Sequence, residues 1–239
     1  MHFTSCLKSG LLYVLLGLPL IAVAQPAQRV PDTLEQRLKA CTACHGAEGR
    51  AGTDGFYPRI AGKPAGYLYN QLLNFREGKR AYPAMRHMVA HMSDAYLKEI
   101  ADYFASLHPP YSAPQASEAN ATSLEQGRQL VMQGDKSRNL PACVSCHGKS
   151  MTGLAPFMPG LVGLPRDYLI AQLGAWQTGS RKAHEPDCMQ QIASKLKPAD
   201  LAAVSSWLAA QTVPSDSTAP VLKAAEYGLL PMKCGSLSQ

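Results

Sequence analysis

The sequence predicts an all-α chain of two tandem domains, on three observations. The second half repeats the first: "CTACHG" at 41–46 returns as "CVSCHG" at 143–148, and "YPRIAGKPAGYLYNQL" at 57–72 as "MPGLVGLPRDYLIAQL" at 158–173. Apolar residues in both copies recur at the helical period of 3.6, and no segment alternates convincingly as a strand would. Between the copies, "HPPYSAPQASEANATS" is rich in Pro, Ser and Ala and poor in large apolar residues, as a linker is.

Taken in order, residues 1–24 read as an export signal: a lysine, an apolar run broken by Pro19, and a small-x-small end at Ala22-Val23-Ala24. The run is shorter than the ~20 residues of a spanning helix. Cleavage after Ala24 and a periplasmic location are therefore expected, and Cys6 leaves with the signal. The first domain follows at 25–108, the linker at 109–121, the second domain at 122–212 and a C-terminal extension at 213–239. Domains of this size need a cofactor, metal or disulfide to complete their cores.

Within the copies, a first helix is predicted over 31–41 ("PDTLEQRLKA" and its edge) and over 123–133. A second begins near Pro64 or Pro165 and ends at Gly78 or Gly179. A third opens at Ser93-Asp94 or at Pro198, both good helix starts. Long loops are expected around the CxxCH runs and after each second helix.

The predicted mature chain has 22 basic and 17 acidic residues, a net +5, divided as +3 for 25–110 and +2 for 111–239. The basic residues are scattered, which excludes a nucleic-acid footprint. No later segment is long and apolar enough to span a bilayer, so the mature protein is expected to be soluble, or peripheral to a membrane through a complex.

Cys-x-x-Cys-His is the attachment sequence of c-type haem. Two thiols three residues apart reach the two vinyl groups of one porphyrin, and the next histidine lies under the iron. Cys41 and Cys44 with His45, and Cys143 and Cys146 with His147, therefore predict two covalent haems c. Zinc ribbons place their CxxC pairs 15–20 residues apart, and thioredoxin-type dithiols need a βαβ context; neither description fits.

The repeat also selects the sixth iron ligands. Aligning Leu97 with Leu201 puts Met85 opposite Met189, whereas Met88 faces Ile192, Met92 faces Leu196 and Cys188 faces Ala84. Met85 and Met189 coincide and are expected on the iron; Met88 and Met92 are expected to pack. His/Met ligation leaves no open coordination position and favours Fe(II), which points to electron transfer over oxygen or peroxide chemistry.

The carbonyls of Pro58 and Pro159, 13 and 12 residues after the two histidines, are expected to hold the imidazole rings. Arg80 and Arg181 are candidates to neutralise haem propionates. Tyr67 with Gln71, and Tyr168 with Gln172, share helix faces; each pair could place a hydroxyl and an amide near propionates, but helix packing is the favoured expectation. His87, His91, His108 and His184 have no matched partners and are not expected on the iron; His184 is expected in solvent.

Two CxxCH domains, each followed by "P-x-[LI]-x-G-x-P-x-x-YL-x-x-QL", with "FREGKR", a methionine and "MSDAYLKEIADYFASL" in the first, resemble the di-haem class I cytochromes c of the cytochrome c4 type over residues 33–211. The resemblance implies two tandem class I cytochrome c domains about a pseudo-twofold axis, with propionate edges facing one another. It also implies Met85 and Met189 as axial ligands and proline carbonyl contacts at Pro58 and Pro159. The tail from 213 and the cysteines Cys188 and Cys234 depart from that pattern. In an oxidising compartment two spare cysteines are expected to pair, closing a loop of about 46 residues and clamping the tail over the second methionine.

The expected function is single-electron transfer between a donor dehydrogenase or quinol-oxidising complex and a terminal oxidase or reductase, through transient contacts with redox partner proteins. Two alternatives are a di-haem sulfur-compound dehydrogenase with Cys188 as a thiolate ligand, against which the register argues, and a haem subunit of a dehydrogenase complex docked by the tail. A di-haem peroxidase would need one open iron, and both copies supply a methionine.

Overall fold

The computed structural model describes residues 29–52 and 55–237; the predicted export segment lies outside them. Thr33 opens the first helix, α1 (Leu34–Arg37), with its hydroxyl accepting the Gln36 N–H. Leu38 then leaves helical geometry (φ −82°, ψ 0°) and α2 (Lys39–His45) follows. The single helix expected over 31–41 is thus two, broken where Leu38 enters the core at 2 % exposure.

The first copy continues with α3 (Ala65–Arg76), α4 (Pro83–Val89) and α5 (Asp94–Ser106). Ser93 caps α5 by accepting the Tyr96 N–H. The second copy runs α6 (Ala121–Met132), α7 (Val144–His147), α8 (Arg166–Gln177), α9 (Cys188–Ala193) and α10 (Pro198–Ala209). Two expectations are corrected here. The CxxCH runs were expected in loops, but α2 carries all of the first motif and α7 most of the second; the segments after α3 and α8 hold α4 and α9. A small antiparallel pair also occurs, β1 (Gly153–Leu154) with β2 (Met158–Pro159), too short to leave a period-2 signal.

Each copy builds its own core. Leu38, Leu68, Leu73, Phe75, Val89, Leu97, Ile100 and Phe104 form the first, where α3 packs on α5. Leu130, Val131, Val162, Leu169, Leu201, Val204 and Leu208 lie at the heart of the second, where α10 packs on α6 and α8. Burying a Leu or Phe side chain contributes roughly 1.5–3 kcal/mol, so the period read from the sequence is the fold's main source of stability. Gly127 lets α6 touch α10: a Cβ there would lie 2.2 Å from the Ala203 carbonyl oxygen. Asp200, at the start of α10, is 3 % exposed and accepts from Gln126 and Arg138.

The halves meet at equivalent positions. Arg80 and Arg181, counterparts in the repeat, form an isolated antiparallel bridge, with Ala81 N–H donating to Ser180 O at 2.8 Å and Lys182 N–H to Lys79 O at 2.7 Å. A residue meeting its own counterpart is the signature of a twofold relation. The tail lies along the second copy, where Ala155 N–H donates to Pro220 O and Leu222 N–H to Ala155 O, each at 2.8 Å. It then reaches a disulfide between Cys234 and Cys188, whose Cα atoms are 5.1 Å apart.

Candidate functional site

Both CxxCH motifs end their helices on the histidine, and both helices stop because a glycine follows. Gly46 (φ +74°) and Gly148 (φ +80°) adopt the left-handed region that favours glycine. A Cβ on Gly46 would come 2.4 Å from Ala51 O. The histidines are nearly buried, His45 at 8 % and His147 at 7 % exposure.

Their rings are held alike. His45 Nδ1 lies 2.8 Å from Pro58 O, and His147 Nδ1 lies 2.7 Å from Pro159 O. A carbonyl accepts only, so Nδ1 carries the proton and Nε2 keeps its lone pair for a metal. Burial lowers the pKa of both rings, against the opposing pull of the carbonyls; Arg80 adds to the lowering at His45 and Lys63 at His147. Both effects keep the imidazole neutral, the form that ligates.

The thiols Cys41, Cys44, Cys143 and Cys146 form no disulfide with one another. Burial pushes Cys41 up and Cys143 up to about 12. Cys41 and Cys143 are thus thiols placed against a cavity, not reactive thiolates. That cavity, about 730 Å³, runs continuously through both halves and is lined by both CxxCH motifs, Met85 and Met189. Its wall is otherwise largely aliphatic and aromatic, with Leu68, Phe75 and Phe104 on one side and Leu169, Trp176 and Leu208 on the other. Met85 lies on α4 and Met189 on α9, both half-buried, so each half brings one helix-borne methionine to the wall that its CxxCH motif also lines. Met88 and Met92 also line the first half of the cavity, Met88 being 38 % exposed.

Between the halves the arrangement differs from what the sequence suggested for Tyr67, Gln71, Tyr168 and Gln172. Expected to pack, they instead receive the two arginines in a crossed network. Arg80 donates to Gln172 at 2.6 Å, to Tyr168 Oη at 3.2 Å and to its own Gln71 at 3.2 Å. Arg181 donates to Gln71 at 2.9 Å, to Tyr67 Oη at 3.4 Å and to its own Gln172 at 2.8 Å. Helical period alone cannot distinguish a face packed on a helix from one that meets a guanidinium of the other domain. Arg181 is 4 % exposed, stacks 3.8 Å over the Trp176 ring, and has no carboxylate partner among the described residues. Burial lowers its pKa, as does Arg80 beside it.

Those cations and one orphan donor test whether haem suits the site. Trp176 Nε1 is buried in the cavity wall without a hydrogen-bond partner among the described residues. An indole N–H is a donor only, and an uncompensated arginine pair beside it calls for anionic acceptors. Haem propionates are such acceptors, and the two thiols and neutral histidine in each half match a c-type haem. The residues present fit the group.

His184 was expected in solvent; it is half-buried instead. Its Nδ1 is 3.2 Å from Lys79 Nζ, and its Nε2 is buried without a partner among the described residues. The neighbouring tail and the contact with the first copy enclose it, and neither is a local feature of the sequence. Cys188 Sγ is bonded to Cys234.

Residues 31–104 match the family described as cytochrome c oxidase, cbb3-type, subunit III. A thiosulfate dehydrogenase electron acceptor from Thiomonas intermedia is 37 % identical over 72 % of this chain and 78 % of its own length. A cytochrome c4 from Pseudomonas aeruginosa is 34 % identical over 83 % of this chain and 96 % of its own. Among solved structures, reduced cytochrome c4 from Pseudomonas stutzeri superposes with a TM-score of 0.64 at 28 % identity, covering 74 % of this chain and 96 % of that one. The thiosulfate dehydrogenase TsdBA of Marichromatium purpuratum gives 0.65 at 32 % identity, covering 72 % of this chain but 36 % of that one.

Fold and site together define a c-type cytochrome with two class I domains. Within that class, the chain belongs to the di-haem cytochromes c of the cytochrome c4 type. It carries covalently bound haem c with iron, and it is an electron-transfer protein.

Proposed function

We propose that the chain is a periplasmic carrier, not an enzyme, with one haem in each of the domains 25–108 and 122–212. Cys41 and Cys44 hold the first haem with His45 and Met85 as axial ligands; Cys143 and Cys146 hold the second with His147 and Met189. Haem, when bound, supplies reversible one-electron chemistry at iron, tuned by its two axial ligands. The chain's own part is to offer neutral imidazoles through the Pro58 and Pro159 contacts, to exclude water with two apolar cores, and to meet anionic haem edges with Arg80 and Arg181.

The observation that carries this reading is the equivalence of the halves. Each provides a carbonyl-held histidine and a helix-borne methionine to the cavity wall, and with both as ligands neither haem would keep a coordination position for a substrate. The disulfide argues against a thiolate at Cys188, because its sulfur is already bonded.

For the donor we propose a thiosulfate-oxidising dehydrogenase, on the description of the Thiomonas intermedia relative and a second of the same description from Stutzerimonas stutzeri, 36 % identical over 78 % of its length. Near-infrared absorption and EPR of the oxidised protein and of Cys188→Ser test the ligands. Methionine-to-iron charge transfer at both haems in both proteins is expected; a second haem that lacks this band already in the parent, and whose EPR signal changes in Cys188→Ser, would favour thiolate ligation. Stopped-flow mixing tests the role: such a dehydrogenase with thiosulfate should reduce both haems, and turnover of thiosulfate by this chain alone would make it an enzyme.

A further inference from the structure

Lys63 stands in the first copy where the second has Leu164, and it is as buried as that leucine, 5 % against 7 % exposed. Its side chain crosses between the halves: Nζ donates to Gly160 O at 3.0 Å. Gly160 directly follows Pro159, whose carbonyl accepts from His147. Lys63, His147, Pro159 and Gly160 all line the cavity.

An ammonium has three N–H groups and here, among the described residues, one acceptor. Holding such a charge out of water is unfavourable unless an anion stands near. No carboxylate pairs with Lys63 among the described residues, and the charged side chain acting on it is Arg59, a second cation. The two acids in the cavity wall are engaged elsewhere: Asp167 pairs with Arg166, and Asp187 accepts the backbone N–H groups of Ala183 and Gln190. With protein groups alone around it, burial and then Arg59 push the amine down to about 7. A lysine placed among cations and apolar groups, against a loop that positions the other domain's histidine, lacks one component of its site, and that component is anionic.

We propose that Lys63 of the first domain is the counter-charge for a propionate of the haem attached at Cys143 and Cys146, and that this cross-domain cation raises that haem's potential relative to the other's. The inference rests on the reading that each CxxCH holds a haem. A fixed positive charge favours the reduced iron, which carries one positive charge fewer, and burial leaves that attraction poorly screened. The first haem has no equivalent, because Leu164 occupies the matched position. One substitution between the copies thus makes two similar sites electrostatically unequal.

Redox titration of Lys63→Met and Lys63→Arg, with each haem followed through its own methyl resonances by NMR, tests this. In Lys63→Met the haem at Cys143 and Cys146 should fall in potential while the other holds; Lys63→Arg should stay close to the parent. No shift, equal shifts at both haems, or a shift confined to the haem at Cys41 and Cys44 would overturn the proposal. Should Lys63→Met fail to fold, nitrogen NMR of the parent holoprotein in mildly alkaline solution decides instead: an ammonium at Lys63 is expected, and a neutral amine overturns it. Haem content separates the two levels of failure. Fewer than two haems per chain defeats the site reading beneath the proposal; two haems with unshifted potentials defeat the role of Lys63 alone.

Discussion

At the residue, the duplication works as an internal control. His45 and His147 make the same carbonyl contact within 0.1 Å of each other (2.8 and 2.7 Å), although their loops differ in length by one residue. Met85 and Met189 share a position on matched helices, whereas Met88 and Met92 are replaced by Ile192 and Leu196. Met85→Ala and Met189→Ala are therefore each expected to halve the near-infrared methionine band and to lower one haem's potential, since a soft thioether favours Fe(II). Met88→Leu should keep the full band; its loss there would move the ligand to Met88. Spectroelectrochemistry of the three variants reads both effects.

Helix crossings and caps carry their own energetics. Gly127→Ala would drive a methyl into the Ala203 carbonyl, and the α6–α10 crossing should lose about 1–3 kcal/mol as the backbones separate. Urea unfolding of the variant measures it, and an unchanged midpoint would mean the crossing relaxes freely.

Asp200 ties α10 to α6 and to the loop before α7 through Gln126 and Arg138, and its oxygen also accepts the Lys197 N–H. Burial works to raise its pKa, but Arg138, Lys197 and Gln126 outweigh burial and hold it below the ordinary carboxylate value. A depressed pKa contributes stability above the unfolded value of about 4 that is lost as the pH falls through the folded one. Asp200→Asn should cost about 1–3 kcal/mol at neutral pH, the worth of hydrogen bonds to a charge. The gap to the parent in urea unfolding should close on acidification. A gap that persisted in acid would show that the carboxylate's charge is irrelevant.

For the whole molecule, the tail couples what the repeat made separate. It joins the second copy at Ala155, is bonded to the residue next to Met189, and touches the first copy where Asn70 Nδ2 donates to Ser236 O at 3.1 Å. Replacing both Cys188 and Cys234 by Ser should lower stability by roughly 4 kcal/mol, the chain-entropy worth of a closed loop of 46 residues. Both haems should keep their methionine spectra. Loss of the second haem's band in this variant would make the bridge a condition for ligation and not only a constraint on the tail. Calorimetry and near-infrared absorption on one sample separate the outcomes.

Local pattern and repetition were enough to read the two helical copies, the two CxxCH runs and the register that sets Met85 opposite Met189. These features are either contiguous in the chain or doubled in it, so one copy interprets the other. What lies between the copies was decided by tertiary structure alone. The Arg80 and Arg181 bridge, the enclosure of His184 and the reach of Lys63 to Gly160 join residues about 100 positions apart. Side chains on one helical face look the same in sequence whether they meet a neighbouring helix, solvent or the other domain. A contact between halves leaves no period to read, and where the copies differ, as at Lys63 and Leu164, the repeat offers no match from which to infer a role.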